Sequence, residues 1–281
     1  MSLDSALSGC LETLQQQDYD RYLACLFAAP DDRLALTALH ALNAELGKVR
    51  ESVSEPMLGE IRLTWWREAI EGLCDGQVRK HPIVEALAAP VASKLVSADA
   101  LMDMVEARIA DLYEDAPRNT AALEDYAAKT GGLLLRQCLS ATGADMQQCD
   151  AAQSIGTAMT MGGVVRAISF HASMRRIHLP ADELAAIGLS PEQVFQGEFT
   201  PAITALAQVI GQNALDQLRA GLKKPWPKRQ RRALAPALFA LKDMQRAQAA
   251  GFDPQRPSPP VAKPLKIART WWFIQSGFGV V

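Results

Sequence analysis

Between residues 156 and 180 the chain reads GTAMTMGGVVRAISFHASMRRIHLP, and several of its side chains are of types that do chemistry. Apolar periodicity predicts a helix over 155–171. Steps of three and four residues return to one side of a helix, so Thr160, Gly163, Ala167 and His171 share a face. An imidazole on such a face can serve as a base or a metal ligand, although a single histidine at a helix end is more often structural. Arg166 falls among apolar neighbours, where it either pairs with a carboxylate from another helix or binds an anion. Gly162 and Gly163 each cost a helix about 0.8–1 kcal/mol relative to alanine, which fits close approach by another backbone or by a ligand. The helix runs into a basic turn, Arg175-Arg176, closed by Leu179-Pro180.

A second group of residues is defined by charge. Residues 223–232 (KKPWPKRQRR) hold six basic side chains in ten. Lys223, Lys224, Lys228, Arg229, Arg231 and Arg232, with Trp226 among them, form either a solvated loop or a surface for acidic headgroups or a partner. Trp271-Trp272-Phe273 either inserts at a membrane interface or packs as a strap over the helices. The net charge of −2 and pI near 6.1 give no reason to expect a nucleic-acid partner. Cys10, Cys25, Cys74, Cys138 and Cys149 form no CxxC pair and no metal-ligand spacing, so reduced thiols are expected. No apolar run approaches the ~18 residues of a membrane span. The first twenty residues have neither the basic start and apolar core of a secretory signal nor the arginines of a transit peptide.

The elements that must position these residues are helical throughout. Apolar residues at three- and four-residue spacing predict helices over 18–28, 58–73, 82–95, 98–114, 126–142, 201–222 and 233–249, with a short one over 191–197. Asp31-Asp32 caps a further helix carrying the stripe Leu36, Leu39, Leu42, Leu46, Val49 and Val53, which Pro56 ends. Thr120-x-x-Leu123-Glu124 starts another. Strand alternation is almost absent, so the fold class is all-α. With 49% hydrophobic residues, 281 residues bury a sizeable core. Residues 1–250 read as one helical domain, and 251–281 as a Pro-rich connector, with five prolines between Pro254 and Pro264, followed by the aromatic strap.

The 156–180 stretch resembles the second aspartate-rich segment of the squalene/phytoene synthase family. There a pattern close to G-x-A-x-Q-x-T-N-x-L-R-D-x-x-E-D leads through a basic turn to L-P. Gly156, Ala158, Arg166 and Leu179-Pro180 match, as do Tyr22-Leu23, Ala38-Leu39-His40-Ala41-Leu42, Arg62-Leu63-Thr64-Trp65-Trp66-Arg67 and Tyr126-x-x-Lys129-Thr130-Gly131, so the likeness covers 19–240. It implies an isoprenoid-synthase-like helical bundle around a central cavity. In the family's enzymes two acidic clusters face one another there and hold the Mg²⁺ that bridges diphosphate oxygens.

This chain departs from that pattern at the clusters. Gly163, Ala167 and His171 stand at the family's asparagine and two aspartates, and Phe170 replaces a further acid. At the first cluster the sequence reads Gly47-Lys48-Val49-Arg50-Glu51, where only Glu51 is a carboxylate. One acid and one imidazole are a poor set for Mg²⁺, so no metal, cofactor or catalytic residue is expected. Mg²⁺ belongs only to the alternative, a head-to-head prenyl-diphosphate transferase with degenerate metal sites.

The same likeness makes Arg62, Trp66, Tyr126, Lys129, Arg166, Arg175 and Arg176 candidate ligand-binding residues. The variant Arg-Ala-x-x-x-His, followed by Arg-Arg and Leu-Pro, resembles the family's non-enzymatic branch, the assembly factors of respiratory complex I. It implies a catalytically silent homologue that binds a nascent complex I subunit or a membrane-arm intermediate. Such a protein would be cytoplasmic or peripheral on the inner membrane, with an anionic membrane surface and an isoprenoid lipid as further partners; a carrier for an isoprenoid or quinone is a third reading. The old pocket is then expected to be narrow and lined by apolar and basic groups.

Overall fold

The computed structural model describes residues 3–113, 115–256 and 262–277, which are helical with no strand among them. The chain opens with α1 (Leu3–Gln17), α2 (Tyr19–Leu26), α3 (Pro30–Lys48), α4 (Pro56–Cys74), α5 (Pro82–Ala92) and α6 (Ala98–Ala107). The middle is α7 (Thr120–Ala127), α8 (Leu133–Ala141), α9 (Met146–Arg166), α10 (Ile168–Ser173), α11 (Ala181–Ala186) and α12 (Pro191–Phe195). It closes with α13 (Pro201–Leu222), α14 (Lys228–Ala233), α15 (Ala235–Ala249) and α16 (Lys263–Ser276). Residues 257–261, the heart of the expected connector, lie outside the described residues.

The helix at the centre is α9, which packs against α8, α13 and α15. Its start is fixed by a capping box: Asp145 accepts from the Gln148 amide at 2.8 Å, and the Gln148 side chain accepts from the Asp145 amide at 3.2 Å. Ile155, Ala158, Met161, Val164 and Val165 are buried on several sides, because helices surround it. Where α9 meets α8 the chain uses glycine. A Cβ on Gly156 would lie 2.1 Å from the carbonyl oxygen of Gly131, and one on Gly132 would lie 2.7 Å from Thr157 Oγ1. The Gly131-Gly132 pair sits in a single π-helical turn, Ala128–Gly132, that joins α7 to α8.

Several boundaries differ from the periodic reading. The chain forms α1 before residue 18, burying Ala6, Cys10 and Leu14 against α3 and α5; one small or apolar residue per turn is a thin signal. Asp31-Asp32 does not cap α3, which starts at Pro30 in the position where a missing N–H costs nothing. The predicted helix over 98–114 tightens at Arg108 into a 3-10 turn, Arg108–Leu112. The central helix begins nine residues before 155 and breaks at Ala167, so His171 belongs to α10. Residues 223–232 are not a loop throughout: α14 begins at Lys228.

Candidate functional site

Helices α2, α3, α7, α9 and α15 enclose a central cavity of about 470 Å³. Thr160, Gly163, Ala167 and His171 all line it, because the four-residue repeat carries across the break at Ala167. Gly47 and Glu51 reach it from the end of α3 and the 3-10 turn Arg50–Ser52, and Arg166, Arg176 and Tyr126 line it too. The remaining candidates lie elsewhere. Lys48 turns to the other side of α3 and shares a second pocket of about 320 Å³ with Arg62, Trp65, Trp66 and His81. There Arg62 donates to Ser52 Oγ at 2.6 Å, and the Trp66 ring meets Trp65 and His81 edge-on at 5.0 Å each. Lys129 is exposed and pairs with Asp125 at 2.7 Å, and Arg175 pairs with Glu192 at 3.2 Å. Both point away from the central cavity.

The lining is not the apolar and basic one expected. Five carboxylates face the cavity: Asp18, Asp20, Glu51, Asp111 and Asp243. Each is met by a cation of the same chain. Asp18 pairs with Arg21, Asp20 with Lys266 at 2.7 Å, Glu51 with Arg176 at 3.8 Å, Asp111 with Arg108 at 3.0 Å and Asp243 with Arg166 at 3.4 Å. Burial opposes ionisation of Asp18, but the charge and donors of Arg21 outweigh it and hold its carboxyl below the usual range. Burial pushes Asp243 up against the pull of Arg166 and Lys266.

Such a set does not fit Mg²⁺, which takes oxygen ligands in near-octahedral geometry. Among the described residues no three of His, Cys, Asp and Glu converge as a metal-ligand group. Where a ligand-bearing side chain would stand at Gly163, a Cβ meets nothing within 4 Å.

One wall of the cavity is a polar lattice around Arg108. Its guanidinium donates to Asp111 Oδ2 at 3.0 Å, Tyr126 Oη at 2.8 Å and Asn43 Oδ1 at 3.2 Å, while Tyr126 Oη donates to Asp111 Oδ1 at 2.8 Å. Burial favours a neutral guanidine, yet Tyr126 and Asp111 reverse that and raise Arg108 above its ordinary value. Burial also raises the Tyr126 phenol, which therefore stays protonated. The Tyr126 ring stacks on His178, and His178 meets His171 edge-on at 4.6 Å. Burial, helped by His178 and Arg176, pushes His171 down to about 3. His171 is thus a neutral imidazole at physiological pH, and its buried Nδ1 has no hydrogen-bond partner.

Sequence reasoning had missed Arg108, Asp111, Asp18, Asp20 and Asp243. A faint signal existed for one pair: Arg108 and Asp111 stand three apart, on one helical face.

The basic run is also rearranged. Trp226 is buried, with its indole N–H donating to the Gly221 carbonyl at 3.0 Å. Arg229 Nε donates at 2.8 Å to Asp32, which is only 2% exposed. Trp226 is therefore covered by protein, and the charge of Arg229 is matched by Asp32. Lys223, Lys224 and Lys228 remain exposed, and Arg231 and Arg232 are half-buried.

The sequence profile described as squalene/phytoene synthase matches residues 14–264. The chain belongs to the squalene/phytoene synthase family. Among its curated relatives, the mouse NADH dehydrogenase (ubiquinone) complex I, assembly factor 6 is 34% identical over 184 residues, covering 65% of this chain and 55% of the mouse protein. The human counterpart is 35% identical over the same span. The chloroplastic phytoene synthase of Narcissus pseudonarcissus is 27% identical over 206 residues, covering 70% of this chain and 48% of that protein. This family member therefore spans about half the length of the curated relatives it matches. Its fold is that of the family's solved enzymes. A dehydrosqualene synthase superposes with a TM-score of 0.83 at 16% identity, over 98% of this chain and 96% of the other. Squalene synthase from Alicyclobacillus acidocaldarius gives 0.78 at 16% identity, over 90% and 96%. The all-α isoprenoid synthase fold is thus retained.

Proposed function

We propose that this family member is a catalytically silent scaffold that assists assembly of respiratory complex I, binding a nascent subunit or membrane-arm intermediate at the cytoplasmic face of the inner membrane. The observation that carries this reading is the one-for-one pairing of the five cavity carboxylates with Arg21, Lys266, Arg176, Arg108 and Arg166. Ionising a prenyl diphosphate needs metal ions between phosphate oxygens and carboxylates. Here the carboxylates are already neutralised by fixed cations, and those cations are committed to them. Identity to the complex I assembly factor 6 of mouse and human supports the direction of the reading. Affinity capture of the tagged full chain from membranes of its native host tests it. Complex I subunits should be enriched over an untagged control, and their absence from captures that hold other specific partners would count against it.

One observation favours a second use of the cavity. His171 lines the cavity as a neutral imidazole, which suits an uncharged oxygen-bearing isoprenoid or quinone better than a diphosphate. Solvent extraction and mass spectrometry of the purified protein test for such a molecule.

A further inference from the structure

Helix α16 has two apolar faces and only one of them is used. Its inner face buries Lys266, Thr270, Phe273 and Ile274 against the body of the protein, and the Lys266 ammonium bonds Asp20. Its outer face leaves Leu265, Ile267, Trp271 and Trp272 between 43% and 57% exposed. Four large apolar side chains on one exposed helical surface form a patch that ordinary surfaces avoid.

The surroundings of the patch are cationic. Lys228 of α14 donates to Gln275 of α16 at 2.6 Å, and the Arg231 guanidinium lies against Gly277. Arg269 is exposed on α16 itself. Burial, then Arg269 and Arg219, lowers the Lys242 ammonium, so positive charge collects along this edge. Among the described residues no carboxylate pairs with Lys228, Arg231 or Arg269.

We propose that the outer face of α16, with α14 beside it, is a docking surface for an anionic lipid bilayer. Trp271 and Trp272 sit at the headgroup boundary, where tryptophan is preferred, and Lys228, Arg231 and Arg269 face lipid phosphates. The attachment is peripheral: no described helix is long and apolar enough to cross a membrane. Because its inner face is already anchored to α14 and α15, α16 lies flat on the bilayer as an interfacial helix does. Charge complementarity and the tryptophan pair select lipid over protein as the occupant. The inference stands independently of the complex I reading.

Flotation of the full chain with vesicles tests it. The wild type should float with phosphatidylcholine mixed with phosphatidylglycerol, and its tryptophan emission should shift to the blue. Binding should fall as salt shortens the screening length from about 10 Å at 0.1 M to about 3 Å at 1 M. The double variant Lys228→Gln/Arg269→Gln should partition about 30-fold more weakly, at about 1 kcal/mol per charge near an anionic surface. Trp271→Ser/Trp272→Ser should lose both flotation and the spectral shift. All four positions are exposed, and thermal melts matching the wild type confirm that the variants fold. A wild type that never floats, that floats equally with pure phosphatidylcholine, or whose variants float as it does overturns the proposal. So does a tryptophan variant that loses a protein partner while lipid binding is absent throughout.

Discussion

Replacing Arg108 with methionine keeps the unbranched stem of the side chain and removes the guanidinium whose charge holds one wall of the cavity. Its ion-pair partner, Asp111, is left with one donor, the Tyr126 hydroxyl at 2.8 Å. Side-chain exposure of the pair is 16% and 10%, so water from the cavity replaces the lost interactions only in part. Breaking a buried pair in this way costs about 3–5 kcal/mol. For 281 residues, at about 2.1 cal/mol/K of unfolding entropy per residue, that lowers Tm by about 5–8 °C.

The assay is thermal and denaturant unfolding of wild type, Arg108→Met and Arg108→Met/Asp111→Asn. The double variant removes both charges while an amide oxygen still accepts from Tyr126, so it should recover at least half of the loss. Magnesium supplies the discriminating arm. A metal bound in the cavity at 100 times its Kd would add about 2.7 kcal/mol, so a Mg²⁺ series should leave every Tm unchanged. A drop below about 1 °C for the single variant, strict additivity in the double, or a rise of several degrees with Mg²⁺ would refute the internal-cation account.

Three further outcomes follow from named contacts. Arg229→Gln should cost about 1–3 kcal/mol by leaving buried Asp32 without its charged donor, the lower end reflecting a guanidinium that is 51% exposed; Lys228→Gln should stay within about 0.5 kcal/mol. His171 and His40 are both pushed down to about 3, so between about pH 6.5 and 3 the unfolded chain takes up protons that the native state refuses. Stability is therefore fully present above that window and falls as pH drops through it, and His171→Gln should flatten the acid limb. Gly156→Ala drives a methyl into the Gly131 carbonyl and should cost about 1–3 kcal/mol or more, whereas Gly163→Ala opens onto space and should gain up to about 1 kcal/mol in helix propensity.

Much of the scaffold was legible because helices announce themselves at short range. The spacing of Thr160, Gly163, Ala167 and His171 placed four cavity residues on one face without any knowledge of the fold. The cavity's electrostatics were only partly legible, because three of its five pairs join residues far apart in sequence: Glu51 meets Arg176, Asp243 meets Arg166, and Asp20 meets a lysine 246 residues away. Charge runs mislead for the same reason. In the 223–232 stretch Trp226 is buried and Arg229 pairs with Asp32, and a partner 197 residues away is what assigns Arg229 to the body of the protein. The candidate set drawn from the family likeness split likewise. Residues one or two positions from a cavity-facing glycine, such as Lys48, rotate out of the site on a helix with 3.6 residues per turn.

The most direct test of the central claim is the amount of assembled NADH:quinone oxidoreductase in membranes of the native host after deletion of this chain, measured by native gel and by activity. The account predicts that assembled complex falls and partial assemblies accumulate. Re-expression of the wild type should restore it, with no squalene- or phytoene-type product formed from farnesyl or geranylgeranyl diphosphate and Mg²⁺ by the purified protein. Normal complex I content in the deletion strain, with product above a boiled control, would contradict it.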